Sequence, residues 1–321
     1  MTESPQTPEG QVADSVKGNW VDSLAPPATR PFLRLSRADR PIGTWLVLLP
    51  CWWGALLAAA SGHGAPGWHT AWIVLACGIG AILMRGAGCT WNDFTDRDFD
   101  DKVARTRSRP IPSGQVSARG ALAWMVAQSL IAFGILLTFN NAAIALGVAS
   151  LGLVAIYPFA KRFTYWPQIF LGLAFNWGAL LAWTAHSGSL HWAAVVLYLS
   201  GIAWTVFYDT IYAHQDKEDD ALIGVKSTAL LFGENTRAWL RGFMVASVLL
   251  MMLAVVLAMA GNASLPALVL ALMGVWAFGW HLAWQLSRLD TEDSDHCLYL
   301  FRSNRNAGLL PALFLAGSLL V

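Results

Sequence analysis

Residues 92–100, Asn-Asp-Phe-Thr-Asp-Arg-Asp-Phe-Asp, close a long apolar run and set acids where apolar sequence gives way to polar. On a helix Asp93, Asp96 and Asp100 advance by three and then four residues, so their carboxylates share one face with Asn92. Carboxylates crowded in this way repel, and a divalent cation relieves the repulsion. Mg²⁺ in particular takes a few carboxylates, water and substrate phosphate oxygens in preference to an all-protein cage. The stretch reads as half of a metal-diphosphate site, although a solvated acidic helix end is the commoner meaning of such a run taken alone. A second stretch, residues 208–220, shifts the balance. There Asp209, Tyr212 and Asp216 repeat the spacing, and Asp220 lies four residues further on. Ten of the chain's 20 acids fall within 92–101 and 208–220, a concentration that scattered surface charge does not produce.

Cations accompany both stretches. Arg85 lies two helical turns before Asn92 and either neutralises the acids or grips an anionic substrate, since an intramembrane charge costs about 2.5–3.5 kcal/mol and is a functional candidate. Lys161 and Arg162, after Tyr157-Pro158, serve as an orientation signal or hold a phosphate. Lys102, Arg105, Arg107 and Arg109 follow the first stretch and suit either lipid headgroups or a diphosphate shared with the acids. Lys226, in Gly-Val-Lys-Ser-Thr, is a further candidate phosphate ligand, but the glycine spacing of a Walker loop is absent. Tyr212 stands where the repeat expects an acid, and its ring face could stabilise a carbocation; Tyr157 and Tyr208 read as interface aromatics. His214 reads as a solvated side chain, and Cys51, Cys77, Cys89 and Cys297, which lack a paired spacing, read as packing residues.

The elements that must position these groups are apolar. With 321 residues, 56% hydrophobic and 13% charged, the chain reads as an all-α polytopic membrane protein. Spans are expected at about 42–60, 70–91, 119–138, 141–159, 166–185, 192–212, 238–260, 265–286 and 307–321, nine in all, the fourth interrupted near its end by Pro158. Acid-bearing loops are expected at about 92–118 and 209–237. The 21 Lys and Arg residues lie at one set of ends, and the turns at 61–67, 140–141, 186–191 and 261–265 carry no formal charge. Retention of positive charge inside then puts the N-terminus in the cytoplasm. Residues 1–30 read as a disordered cytoplasmic tail, unlike a signal peptide or an Arg-rich presequence, with 31–321 the membrane domain. A net charge of +1 without a basic face gives no basis for nucleic-acid binding.

The ordered motifs resemble those of the UbiA-type intramembrane aromatic prenyltransferases, and most closely the bacterial branch acting on 4-hydroxybenzoate. The resemblance runs through Arg37-Ala-Asp-Arg-Pro-Ile-Gly43, Arg85-Gly-Ala-Gly-Cys89, Asn-Asp-x-x-Asp-x-x-x-Asp from Asn92, Arg105-Thr-x-x-Arg109-Pro110 and Tyr157-Pro-x-x-Lys161-Arg162. It continues through Pro167-Gln168-x-x-Leu-Gly172, Asp-x-x-Tyr-Ala-x-x-Asp from Asp209, Lys226-Ser-Thr228 and Phe301-x-x-Asn304. It implies a nine-helix bundle around a lateral, membrane-open cavity. It also implies that Asn92, Asp96, Asp100, Asp216 and Asp220 hold Mg²⁺ and, through it, the diphosphate of a polyprenyl donor. Arg37, Lys161 and Arg162 match anion-binding positions, with Arg162 proposed to meet the carboxylate of the acceptor, 4-hydroxybenzoate. Asp98, Asp101 and Arg305 depart from the pattern.

The implied reaction is ionisation of a polyprenyl diphosphate and attack by the ring carbon ortho to the phenol, with Asp93 or Asp209 orienting or deprotonating the phenol. The expected setting is a bacterial inner membrane, with ubiquinone synthesis as the context and lipid as the surroundings. Rival readings are another acceptor, a naphthoate or a porphyrin, and a cation transporter. Transport asks for polar access from both sides, and the uncharged outer turns argue against it.

Overall fold

The computed structural model describes residues 12, 15, 16, 18–62, 67–100 and 106–321, except the side chains at 98, 99, 219, 220 and 223. Arg105 and Asp101 lie outside the described residues, as do the side chains of Asp98 and Asp220. Nine long helices carry the fold among the described residues: α1 Ile42–Ala60, α2 Trp68–Asp100, α3 Ala118–Leu136, α4 Asn141–Phe163, α5 Pro167–Ser187, α6 Trp192–Ala213, α7 Thr236–Met259, α8 Leu265–Arg288 and α9 Ser294–Ser318. No strand is present among the described residues.

Among the described residues eight helices are long and apolar enough to cross a membrane, and they correspond to α1 through α8. The expected ninth span, 307–321, is not among them, and the helix that covers it, α9, also differs in its bounds. α9 begins at Ser294 and not near 307, because Asp293 caps it by accepting from the His296 amide at 2.9 Å, and Arg302 and Arg305 dilute its apolar signal. α4 likewise runs through Pro158 to Phe163, so Lys161 and Arg162 stand in its last turn, where cations favour the helix dipole. The first acidic stretch is helical to Asp100 and not a loop. The second is broken: α6 ends at Ala213, a 3₁₀ turn follows over His214–Asp216, and a short helix covers Lys217–Ile223. Tightening from 3.6 to 3.0 residues per turn rotates Asp216 off the face expected from continuous spacing.

The N-terminal expectation also changes. Residues 18–30 are folded rather than a loose tail, with a turn of helix at Trp20–Ser23, a second helix at Arg30–Leu35, and Val21 fully buried.

The chain divides into two compact units, residues 1–44 with 79–135, and residues 45–78 with 136–321. In the first, Leu35, Val116 and Ala121 form a buried apolar cluster flanked by Phe32, Ile111 and Trp124. In the second, α4 packs on α5, α5 on α6, α6 on α7 and α9, and α8 on α7 and α9. Small residues permit close helix approach. A methyl on Gly54 would run into the Ala179 carbonyl, and Gly308 lies under Leu49, Trp53 and Trp204. The Trp53 indole donates to the Gly308 carbonyl at 2.8 Å, which locks α1 to α9 around a Trp53–Trp204–Phe278 core. The four cysteines are buried and unbridged, in line with a packing role.

Candidate active site

In the first unit the site starts from a turn. After the helix Arg30–Leu35 the Arg37 amide bonds the Arg34 carbonyl and the Ala38 amide bonds the Leu33 carbonyl, both at 3.0 Å. That pair of bonds is a Schellman ending, whose C′ residue is usually glycine. Here it is Arg37, at φ +58°, a left-handed conformation that costs a side-chain-bearing residue about 1–2 kcal/mol. The turn aims the guanidinium at α2. Arg37 Nη2 lies 2.5 Å from Asp93 Oδ1, and both groups are buried. Burial works against the Arg37 charge, but Asp93, Cys89, Asp39 and Asp100 together outweigh it and hold the guanidinium above its ordinary pKa.

Arg109 closes the arrangement from the loop that follows α2. Its Nη1 donates to Asp93 Oδ1 at 3.3 Å and to Asp100 Oδ2 at 2.8 Å. Thr106 Oγ1 donates to the Asp100 carbonyl at 2.8 Å and so satisfies one of the last carbonyls of α2. Burial raises the Asp100 carboxyl pKa, while Arg109 opposes it. Asp96 is fully buried and Asn92 half-buried on the same helix.

The glycines of two motifs explain themselves here. A methyl on Gly43 would lie 2.5 Å from Arg85 Nε and Nη2, so Gly43 gives the Arg85 guanidinium its seat. Gly86 makes room for the Gln128 side chain, whose Oε1 accepts from Ser36 Oγ at 3.1 Å.

Around Asp93, three buried polar atoms have no hydrogen-bond partner among the described residues: Asp93 Oδ2, Arg37 Nη1 and Arg109 Nε. Such atoms are costly to bury unmet. One acceptor oxygen and two guanidinium donors left open beside buried carboxylates form a donor set that fits a cation and an anion bound together. Among the described residues no three of His, Cys, Asp and Glu gather closely enough to hold an ion by themselves.

In the second unit, α6 carries the other predicted residues. Tyr208 is buried, its hydroxyl 3.1 Å from Thr205 Oγ1. The half-buried Tyr212 packs its ring on Phe301 at 4.4 Å between centroids. Asp209 and Asp216 are half-buried, and His214 is buried where a solvated side chain was expected. The Phe301-x-x-Asn304 motif fixes α9 against α6 and α8: Asn304 Oδ1 accepts from Trp204 Nε1 at 2.9 Å, and its Nδ2 donates to Gln285 Oε1 at 3.1 Å.

Lys226 is drawn toward α4. Its amide bonds the Lys161 carbonyl at 3.0 Å, and its Nζ reaches the Phe163 carbonyl at 3.4 Å, near the Tyr165 ring. The ammonium thus caps the negative end of α4. Thr228, tied to Gln168 Oε1 at 3.2 Å and to Thr210 Oγ1 at 2.6 Å, joins that loop to α5 and α6. Arg162 is exposed over the Phe159 ring.

Sequence reasoning missed Asn176. It donates to Gly172 O at 2.9 Å and Thr205 Oγ1 at 2.8 Å, and so joins α5 to α6 beneath Tyr208. An amide inside an apolar run was the available signal.

The UbiA prenyltransferase family model matches residues 47–305. The mouse protein "4-hydroxybenzoate polyprenyltransferase, mitochondrial" is 51% identical over 96% of this chain and 79% of its own length. The human and Arabidopsis thaliana proteins of the same name are 49% and 45% identical, over 95% of this chain in each case and 80% and 74% of their own lengths. Among solved structures, a UbiA homolog from Archaeoglobus fulgidus bound to GPP and Mg²⁺ aligns with TM-score 0.68 at 19% identity, over 91% of this chain and all of that one. A digeranylgeranylglyceryl phosphate synthase aligns with TM-score 0.63 at 17% identity, over 92% of this chain and 99% of that one. Likeness at that identity establishes the fold.

The three relatives by sequence are proteins named as mitochondrial, from two animals and a plant, which overturns the expected bacterial inner membrane. Charge asymmetry reports which side of a membrane a loop occupies, not which organelle holds it, and so could not support that expectation.

Proposed function

This chain belongs to the UbiA prenyltransferase family, and we propose that it transfers a polyprenyl group from a polyprenyl diphosphate to 4-hydroxybenzoate, at the ring carbon ortho to the hydroxyl. The reaction uses Mg²⁺ and serves ubiquinone synthesis. The observation that carries this reading is the 51% identity, over 96% of the chain, to a mouse enzyme of that name.

Asn92, Asp96, Asp100, Asp216 and Asp220 would hold Mg²⁺, which supplies positive charge against the charge that builds on a departing diphosphate. Arg37 and Arg109 add guanidinium donors to the same oxygens, through the nitrogens that have no partner among the described residues. The carbon–oxygen bond of the donor breaks with both electrons on the diphosphate, and the ring face of Tyr212 attracts the allylic cation that remains. The acceptor's ortho carbon supplies the electron pair of the new bond, and loss of its proton restores the aromatic ring. Asp209 is assigned the phenol, since Oδ1 of Asp93 is already engaged by two guanidinium groups. Arg162 and Lys161 are assigned the acceptor's carboxylate. Surrounding hydrocarbon excludes water that would quench the cation.

The test is direct. Purified protein supplied with Mg²⁺, geranyl diphosphate and 4-hydroxybenzoate should release diphosphate and yield an acceptor heavier by one geranyl group, and chelation should stop both. Product from a naphthoate but none from 4-hydroxybenzoate would overturn the assignment.

A further inference from the structure

The residues ahead of the first long helix reach back to the arginines of the site. Asn19 caps the turn Trp20–Ser23 by accepting from the Asp22 amide at 3.1 Å, and its own amide donates to Asp22 Oδ2 at 2.8 Å. Held this way, Asp22 Oδ1 accepts from Arg34 Nε at 3.1 Å and Nη2 at 2.8 Å. Arg34 is buried and donates through Nη1 to Gln115 Oε1 at 3.2 Å, on the loop that follows Arg109. Trp20 Nε1 donates to the Ala38 carbonyl at 3.0 Å. Ala38 is the residue after the left-handed Arg37, and its amide closes the turn.

Residues 19–25 therefore hold the strained turn at the peptide beyond Arg37 and, through Arg34, the loop that carries the second guanidinium. Val21, fully buried, and Ala25 seat the segment apolarly. An exposed tryptophan near a membrane is ordinarily an interface anchor. This one, half exposed, spends its ring N–H on a backbone carbonyl of the site instead. A turn with a non-glycine residue at positive φ unwinds readily once its ties are cut, and unwinding would swing the Arg37 guanidinium off Asp93.

We propose that Trp20 and Asp22 are positioning residues for diphosphate binding, fixing the Arg37 turn and the Arg109 loop on either side of Asp93. The proposal rests on the prenyl-transfer reading above and adds two residues to it, outside every motif that carried the resemblance.

The test uses the full chain with Trp20→Phe, Asp22→Asn and Asp22→Glu, read by kinetics and by hydrogen exchange at the amides of residues 36–40. Trp20→Phe and Asp22→Asn should each raise KM for geranyl diphosphate about fivefold, the worth of one hydrogen bond. KM for 4-hydroxybenzoate should stay at its wild-type value in both, the melting temperature should hold in Trp20→Phe and fall in Asp22→Asn, which takes a charge from beside the buried Arg34, exchange at 36–40 should quicken, and Asp22→Glu should restore KM and exchange. Unchanged exchange, or an equal rise in both KM values together with a lowered melting temperature, overturns the proposal. Wild-type protein that consumes no donor overturns the prenyl-transfer reading instead. Exchange at 36–40 in the variants, with and without inorganic pyrophosphate, then still decides whether the segment holds the turn.

Discussion

Asp93 holds two guanidinium groups on one oxygen and leaves the other open among the described residues, and another buried acid, Asp39, answers to one of them, Arg37. Burial lifts the Asp39 carboxyl to about 6 from 3.8; Arg37 and Arg34 pull it down, Asp22 pushes it up, and Arg40 lies 3.7 Å away. A raised carboxyl means that the folded state binds the proton more tightly. That contribution to stability is whole below about pH 3.8 and is lost as pH rises through about 6. Asp39→Asn should therefore melt with the wild type near pH 4 and above it beyond pH 6, with a ceiling of about 3 kcal/mol at 1.36 kcal/mol per pH unit. Equal melting differences at both pH values would show that folding leaves the carboxyl's proton affinity unchanged. None of this was legible in the sequence. Arg37 could be matched to an anion-binding position, but its partner lies on another helix and its backbone conformation has no local signature in Ser-Arg-Ala.

At the scale of elements, apolar runs located α1 through α8 well, because a helix in hydrocarbon announces itself by composition. Polar helical ends were harder to read. The acids of 92–100 proved to be the last turns of α2, and the front of α9 was hidden by Arg302 and Arg305, since a helix reaching into water stops being apolar before it stops being a helix. The spacing that paired Asp209 with Asp216 assumed one continuous helix, and the 3₁₀ turn at 214–216 breaks it. Two glycines separate packing from chemistry. Gly54 faces the backbone carbonyl of Ala179, which cannot step aside, so Gly54→Ala should lower stability by about 1–3 kcal/mol through overpacking. Gly43 faces only the flexible end of Arg85, so Gly43→Ala should keep its melting temperature and lose activity as Arg85 is displaced. Thermal melts and turnover on the pair check this; equal melting losses would refute the distinction.

For the molecule as a whole, the family was readable from ordered motifs, whereas the organelle was not, since both kinds of membrane impose the same charge rule. One dimension of α2 sets how such an enzyme meets its donor. At 33 residues and about 1.5 Å per residue it is roughly 50 Å long, against about 30 Å of hydrocarbon. The excess of about 20 Å is enough to carry its acidic end to the lipid headgroups, where a polyprenyl diphosphate already carries its charge. Encounter is then a two-dimensional search, and the quantity that governs rate is the donor's surface density. Diluting a long-chain donor with inert phospholipid at fixed bulk concentration should slow turnover in proportion, and a rate indifferent to that dilution would mean that the donor arrives through water.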